Sequence, residues 1–297
     1  MSQSDADIEP RAVTSAVLKG GVGKSMLTTN TARALADRGH RVLEIDMDPN
    51  GHATTGLGFE EQYQTAELDI GDVMLGDRTA DPEDVIIDTG YGFDLLPAHR
   101  NLENLNVELA NADFGTVRLR RFVVEPLLET VYDYIVIDAA NERNKISDNA
   151  LTASLNMLIP LTPGSGLRGF RRTMERQIKP LREFRELEIL ALVPNRIKRR
   201  IDHQTTDREL IEGLCTTDNL SKKVPNFGYV SPEAFERIDT GEWEGSFPKP
   251  GLREDTDIER ANKDAEVPLA EYNPDNDQLD SFDELAAIVE RGGVVRE

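Results

Sequence analysis

Cysteine is almost absent from this sequence, and its scarcity excludes some kinds of site. Cys215 is the single cysteine among 297 residues, so no disulfide can form within one chain. An iron–sulfur cluster needs at least two cysteine ligands from each subunit of a dimer, which this chain does not have. A lone thiol is also typical of the reducing cytosol, and we therefore expect an intracellular protein.

Long hydrophobic runs are lacking as well, and none approaches the ~18 residues that would span a bilayer. Residues 1–11 are polar and acidic, without the basic and apolar regions of a signal peptide, and we expect them to form a disordered acidic tail. Hydrophobic residues still make up 38% of the chain, which is enough for a core. The length allows one large α/β domain or two small ones.

Lysine is the third scarcity: the chain has nine lysines against twenty-five arginines, and its net charge is −21. An acidic, lysine-poor surface is what proteins working in molar salt tend to show, and we infer a halophilic cytosol. An ordinary acidic protein is the alternative. At ~1 M salt the Debye length is about 3 Å, so repulsion among the carboxylates would be screened.

One stretch organises the rest of the chain, Leu18-Lys19-Gly20-Gly21-Val22-Gly23-Lys24-Ser25. An apolar run at 12–18 predicts a buried strand before it, and 25–38 predicts a helix after it. A strand, a glycine-rich turn and a helix start form a phosphate cradle, because the backbone N–H groups and the helix N-terminus face the same anion. We expect Lys24 to reach the β- and γ-phosphates and the Ser25 hydroxyl to bind Mg²⁺. A glycine-rich turn with two surface lysines is the alternative.

The strict P-loop pattern requires glycine where Leu18 stands; here Lys19 heads the loop instead, and two glycines follow. This arrangement resembles the deviant Walker A motif of the ParA/MinD family of ATPases. The resemblance implies ATP and Mg²⁺ as ligands, and a signature lysine, Lys19, that crosses a dimer interface to the partner's nucleotide. The nucleotide-binding residues that it implies in this loop are Gly20, Gly21, Val22, Gly23, Lys24, Ser25 and Met26. The family usually has a threonine in place of Met26, and we expect nucleotide binding to survive this change.

An acidic motif follows the strand predicted at 41–46, with the sequence Asp46-Met47-Asp48-Pro49-Asn50-Gly51. It is similar to the family's DxDPQG, with Asn50 replacing the usual glutamine. The resemblance places Asp48 beside Mg²⁺ and the γ-phosphate, where it would orient the attacking water. A turn rich in Asp, Pro, Asn and Gly is the alternative.

The apolar strand predicted at 132–138 ends in Asp138, as in a Walker B motif. A carboxylate at this place holds Mg²⁺, usually through water. An aspartate that caps the next helix is the alternative. The family usually continues with a small residue and prolines, whereas Ala139-Ala140-Asn141 follow here.

The resemblance also implies recognition of the adenine base by Asn195, after the strand predicted at 187–193, and near Pro225, at the end of a last strand. A turn residue is the alternative for Asn195. The family commonly has a basic residue after that proline, and Asn226 stands here instead.

Two basic groups are candidate DNA contacts. The first is Lys198, Arg199 and Arg200. The second is a stripe on the helix predicted at 166–179 that contains Arg168, Arg172, Arg176 and Lys179, which we call the basic stripe. A dimer contact, or a solvated face paired with glutamates, is the alternative for the stripe.

Hydrophobic patterning predicts further strands at 93–98 and 155–163 and helices at 68–75, 101–110, 117–131, 257–265 and 282–290. Residues 236–256 are expected to be a loop insertion. The resemblance extends over about 12–290 and implies a doubly wound, mostly parallel α/β sheet of the P-loop NTPase type, with helices on both faces. We expect 12–297 to form one such ATPase domain.

The predicted function is that of a slow, Mg²⁺-dependent ATPase that dimerises with ATP and serves plasmid or chromosome partition or cargo positioning. It would bind non-specific DNA in the ATP state, hydrolyse ATP when a ParB-like or other partner activates it, and be cytoplasmic and nucleoid-associated. A MinD-like membrane-associated regulator is the alternative, but 281–291 is too acidic for anionic lipid, and no membrane is expected. A relative of iron–sulfur carriers or of the nitrogenase iron protein is disfavoured by the lone cysteine. A ligase-like relative without a cluster stays open.

Overall fold

The computed structural model describes residues 9–76, 80–198, 200–203 and 205–296. Within them seven strands form one sheet, in the order β3-β4-β2-β5-β1-β6-β7. The strands are β1 (Arg11–Ser15), β2 (Val42–Met47), β3 (Ile87–Asp88), β4 (Asp94–Leu96), β5 (Tyr134–Ala139), β6 (Asn156–Leu161) and β7 (Glu188–Pro194). All neighbouring strands run parallel except β3 and β4. The expected mostly parallel sheet is therefore confirmed.

Helices cover both faces of the sheet. They are α1 (Lys24–Asp37), α2 (His52–Thr55), α3 (Glu60–Thr65), α4 (Ile70–Leu75), α5 (Leu102–Asn111), α6 (Glu125–Leu127), α7 (Lys145–Ser154), α8 (Gly166–Thr173), α9 (Lys179–Arg182), α10 (Thr206–Cys215), α11 (Asp218–Ser221), α12 (Pro232–Asp239), α13 (Thr256–Arg260), α14 (Leu269–Tyr272) and α15 (Leu279–Arg291). One core cluster contains apolar residues of α1 and α15, and the other contains those of α5, α7 and α10. None of the helices within the described ranges combines the length and the apolar character needed to cross a bilayer.

The central strand β5 shows why the strands read as continuous apolar runs. Ile135 and Ile137 belong to the core on the α7 side, whereas Tyr134 and Val136 belong to the core on the α1 side. A strand buried on both faces has no solvent-facing positions to alternate with, so its sequence is apolar throughout.

The register of the sheet gathers polar residues at one place near the carboxyl ends of three strands. Asp138 on β5 is in register with Ser15 on β1 and with Asp46 on β2. Since ligands of open α/β sheets bind at this edge, these side chains mark where a functional site is expected.

Several elements differ from the sequence-based expectation. β1 begins at Arg11, one residue inside the expected tail, whose residues 1–8 lie outside the described residues, and it ends at Ser15. The helix expected at 117–131 is a π-helical segment, Arg120–Val124, followed by α6, which ends at Leu127. Helices α7 and α10 were not predicted, because both are rich in polar residues that hide their apolar periodicity.

The expectation of a last strand that ends near Val224 and Pro225 is wrong. The Lys223 carbonyl accepts one hydrogen bond from the Leu192 N–H, but Pro225 has no N–H to continue a ladder, and a 3₁₀ turn (Asn226–Gly228) follows. In the segment expected to be a loop insertion, α12 continues to Asp239 and no helix or strand is found over 240–255.

Arg208 on α10 anchors the segment that follows β7. Its side chain is buried, and its guanidinium donates to the Ile201 carbonyl (3.2 Å) and to the Asp239 carboxylate (2.8 Å). The guanidinium also lies 5.3 Å from the centre of the Phe235 ring. Arg208 therefore fixes the chain soon after Asn195, which lies in the candidate site.

We expect Arg208→Met to lower the free energy of unfolding by about 2 kcal/mol, because the apolar stem stays while the hydrogen bonds to Ile201, Glu212 and Asp239 are lost. Denaturant titration of both proteins measures the difference. Arg237→Met is the matched control, since Arg237 is exposed on α12. Equal stability of the two variants would contradict the anchoring role.

Candidate functional site

The glycine-rich loop between β1 and α1 has the backbone geometry of an anion cradle. Gly21 (φ 70°) and Gly23 (φ 82°) are left-handed, and Gly23 caps the 14-residue helix α1. A Cβ on Gly23 would lie 2.6 Å from Nδ2 of Asn195, so both conformation and close approach require glycine here. Lys24 is buried at the first position of α1. The loop thus presents backbone N–H groups, a helix N-terminus and a lysine to one place.

Ser25 and Asp138 meet next to this loop. The Ser25 hydroxyl donates to Oδ2 of Asp138 (2.5 Å), and Oδ1 of Asp138 is buried without a hydrogen-bond partner in the described part of the chain. Burial, together with the charge of Asp46, raises the pKa of Asp138 well above its usual range, and Lys24 opposes this shift. An unpaired, buried carboxylate oxygen beside a hydroxyl fits a Mg²⁺ ion or its bound water.

Within the described ranges, no three His, Cys, Asp or Glu side chains are arranged to hold a metal ion on their own. Mg²⁺ usually takes only one or two protein carboxylates and completes its octahedron with waters and substrate phosphates. Ser25 and Asp138 therefore suit a magnesium–triphosphate complex better than a free metal ion.

Two aspartates hold the loop after β2: Asp46 near the end of the strand and Asp48 in the loop itself. Asp46 is fully buried and accepts hydrogen bonds from the Asp48 N–H (3.0 Å) and from the N–H (2.9 Å) and hydroxyl (2.8 Å) of Thr54. Burial nevertheless raises the pKa of Asp46 to about 6. Asp48 is 4% exposed, and it accepts hydrogen bonds from the N–H (3.0 Å) and side-chain amide (2.7 Å) of Asn50. Asn50, which replaces the expected glutamine, thus orients Asp48 within its own loop.

Glu44 was missed by the sequence analysis, because it stands within an apolar strand. It is fully buried on β2, two residues before Asp46; the Thr29 hydroxyl donates to its Oε1 (2.7 Å), and its Oε2 has no partner within the described residues. Burial raises the pKa of Glu44 well above the usual value, and the charges of Asp138 and Asp46 add to this effect. Carboxyl groups of Glu44, Asp46 and Asp138 therefore share one buried region.

Lys19 is docked within its own subunit. Its Nζ donates to the Thr162 hydroxyl (2.8 Å), and the preceding Leu18 N–H donates to Oγ1 of Thr173 on α8 (3.0 Å). Partial burial lowers the pKa of Lys19, and the charge of Arg196 contributes to this shift. The head of the loop is thereby tied to the turn after β6 and to α8.

Asn195 lies against the loop, and its recognition of the adenine base stays a prediction. Its Nδ2 donates to the Val22 carbonyl (2.7 Å), and together with Gly23 and Met26 it lines a small cavity. Pro225 is buried but is not among the residues that line this cavity, so its contact with the base stays a prediction.

The opposite wall of the cavity was missed by the sequence analysis. It is formed by residues of 253–263, including Ile258 and Asn262. Hydrogen bonds join the Leu252 N–H to the Pro194 carbonyl (2.9 Å) and the Ile197 N–H to the Leu252 carbonyl (3.0 Å), which places this wall over the loop. No local sequence pattern predicts that pairing.

The candidate DNA contacts differ in their surroundings. Lys198 pairs with Glu254 (2.9 Å), and the Arg200 guanidinium pairs with Asp202, while Arg199 lies outside the described residues. The four members of the basic stripe are all exposed, and none of them has an ion-pair partner in the described structure: Arg168, Arg172, Arg176 and Lys179.

We expect the buried Glu44 to make the wild-type protein lose stability relative to Glu44→Gln as pH rises from 4 to 8. The folded protein keeps a proton on Glu44 that the unfolded chain releases above its ordinary pKa near 4.3, so stability present at low pH is lost on the way up. Glu44→Gln removes this loss and should be more stable than wild type at pH 8, with no gain at pH 4. Urea titrations without nucleotide or Mg²⁺ measure it. The exposed Glu175→Gln serves as the control, and parallel pH profiles for wild type and Glu44→Gln would refute the assignment.

Comparison with known proteins identifies the family of this chain. A family model described as an AAA domain matches residues 11–187. The sporulation initiation inhibitor protein Soj of Bacillus subtilis is 34% identical over 200 residues, which cover 67% of this chain and 69% of Soj. The chromosome partitioning protein ParA of Caulobacter vibrioides is 35% identical over 163 residues, which cover 53% of this chain and 60% of that protein.

A solved structure of a Cyanothece McdA variant in complex with ATP superposes with a TM-score of 0.73 at 21% identity, covering 98% of this chain and 99% of that chain. At this identity the likeness supports the fold. The extent of the AAA-domain match and the identity to Soj settle the family. The chain therefore belongs to the AAA-domain family and, within it, to the Soj/ParA partition ATPases.

Proposed function

We propose that this protein is a dimerising, Mg²⁺-dependent ATPase that positions DNA or another cargo. It binds non-specific DNA in the ATP state, hydrolyses ATP slowly on its own and faster with an activating partner, and so works at the nucleoid in the cytoplasm. The observation that carries the proposal is the joined phosphate site, in which the left-handed loop, the buried Lys24 and the Ser25–Asp138 pair converge. The relatives named as partition proteins support the choice of cargo.

The phosphate site explains how phosphoryl transfer to water would be promoted. The transferred phosphoryl group needs charge neutralisation and an aligned nucleophile, and little covalent chemistry. Lys24 and the loop N–H groups bind the phosphates, and Mg²⁺, when bound at Ser25 and Asp138, neutralises the charge on their oxygens. Asp48, held by Asn50, is the residue that we propose to orient the water.

Lys19 gives the proposed coupling between hydrolysis and dimerisation. In the single chain its Nζ donates to the Thr162 hydroxyl. If it is released across a dimer interface, it adds positive charge to the partner's transition state. Residues that act in this way can be worth ~10³-fold or more in rate, which accounts for slow turnover in the monomer.

DNA binding is proposed for the basic stripe in preference to Lys198 and Arg200. An arginine already paired with a carboxylate must give up that pair to bind a phosphate, whereas the exposed, unpaired stripe has no such competitor. A local basic patch can act in a chain of net charge −21, because contact with DNA depends on the patch that faces it.

The membrane-associated alternative gains no support from α15. Its apolar residues, among them Phe282, Leu285 and Ile288, are buried in the core cluster that also contains residues of α1. An interfacial membrane helix needs a free apolar face, and this helix uses its apolar face inside the fold.

We expect Asp48→Ala with saturating ATP and Mg²⁺ to run as a dimer, and the same protein with ADP as a monomer, in light scattering after size-exclusion chromatography. Slowed turnover should trap the ATP-bound pair. Lys19→Gln should lower kcat by about 10³-fold and leave ATP affinity unchanged, because it removes the charge supplied across the interface while the glutamine amide can still donate to the Thr162 hydroxyl. Lys24→Gln is the contrast and should lose ATP affinity. A protein that stays monomeric with ATP, Asp48→Ala included, would refute the proposal.

For DNA, we expect Arg168→Glu/Arg172→Glu to weaken ATP-dependent binding at least tenfold and to reduce the slope of log K against log salt by about 2, one for each lost phosphate contact. Binding titrations at several salt concentrations measure both effects. Lys222→Glu/Lys223→Glu changes the net charge equally, away from the stripe, and should bind as wild type does. An equal loss in both double variants would assign the effect to net charge and would count against the stripe.

A further inference from the structure

Arg196 has a backbone conformation that side chains rarely adopt. Its φ is 57°, in the left-handed region, although it is not glycine. Its N–H donates to Oδ1 of Asn195 (2.8 Å), and the N–H of the next residue, Ile197, donates to the Leu252 carbonyl (3.0 Å). Neighbouring contacts therefore hold the residue in place. Strained positions of this kind persist where the surroundings fix them, and they cluster at ligand sites.

Arg196 lines the cavity beside the phosphate loop, next to Asn195 and Met26. The phosphate-binding N–H groups belong to the loop itself, whereas the cavity walls combine side-chain amides, the Met26 thioether and the aliphatic Ile258 with charged side chains of 253–263. Such walls suit a flat ring with polar edges. The cavity is thus shaped for the nucleoside half of a nucleotide, and Arg196 stands at that half.

The Arg196 guanidinium is also available to a ligand. It is exposed and makes no ion pair within the described residues, although Glu254 and Asp255 line the same cavity. Glu254 pairs with Lys198 (2.9 Å). Asp255 accepts hydrogen bonds from the Asp257 N–H (2.7 Å) and from Nε2 of Gln278 (3.0 Å). Two of the three acids that line the cavity are therefore engaged elsewhere, and Glu259 is the third.

We propose that Arg196 is a nucleotide-contacting residue whose planar guanidinium stacks on the purine ring of a nucleotide bound in this cavity. Arginine stacks on aromatic faces because its delocalised cation is flat and weakly hydrated, and lysine lacks this plane. The proposal rests on the proposed function only in taking a purine nucleotide as the ligand.

The test uses the full chain and three probes, namely ATP, ADP and inorganic tripolyphosphate, each with Mg²⁺, in isothermal titration calorimetry. Arg196→Gly should weaken ATP and ADP about tenfold and leave tripolyphosphate unchanged. Arg196→Lys, which keeps the charge and loses the plane, should weaken ATP and ADP to a similar extent. Thermal midpoints should not fall, because glycine relieves the left-handed backbone.

Glu129→Gly is the matched control. Glu129 is also left-handed (φ 71°), but it precedes β5 and so lies towards the amino ends of the strands, away from the cavity. Its replacement should therefore leave all three affinities unchanged. Full ATP and ADP affinity in Arg196→Gly would overturn the inference, and so would rescue by lysine or an equal loss of tripolyphosphate, which would assign the contact to phosphates. A wild-type protein that binds no nucleotide would instead refute the proposed function.

Discussion

The hydrogen bond between the Ser25 hydroxyl and Asp138 joins the first turn of α1 to the end of β5, and the site depends on this junction. It exists because parallel register places Asp138 beside both neighbouring strand ends. Burying several carboxyl groups together is unfavourable unless donors and cations surround them. The loop after β2 supplies donors to Asp46, and Lys24 supplies charge near Asp138. A magnesium–triphosphate complex would supply the remaining charge.

Local surroundings matter more than total charge in this molecule. The chain is strongly acidic, yet many of its carboxylates have structural roles. They accept hydrogen bonds from loop N–H groups or form ion pairs with individual arginines and lysines. The basic stripe and Arg196 are left outside that pairing. These unpaired cations differ from the residues of the densest basic cluster in the sequence, where Lys198 and Arg200 are paired with acids.

Features encoded by local sequence were the predictable ones. The loop at 18–25 and the strand ending in Asp138 each carry their signal within a few residues, and the structure brings them together as expected. The wall of the cavity at 253–263 was not predictable, because it is placed by backbone pairing with residues nearly sixty positions earlier. The polar helix α7 and the isolated Glu44 escaped notice for a related reason, since only tertiary packing shows that they are buried.

The Thr173 hydroxyl connects the head of the phosphate loop to α8. It accepts from the Leu18 N–H at the head of the phosphate loop and donates to the Gly169 carbonyl inside α8, whose outer surface carries Arg168 and Arg172. Lys19 adds a second connection, because its Nζ donates to the Thr162 hydroxyl. A shift of the loop head on nucleotide exchange must either break these hydrogen bonds or move α8 as well. The Thr162 and Thr173 hydroxyls thus couple the loop head to α8, so that binding at one surface can alter the structure of the other.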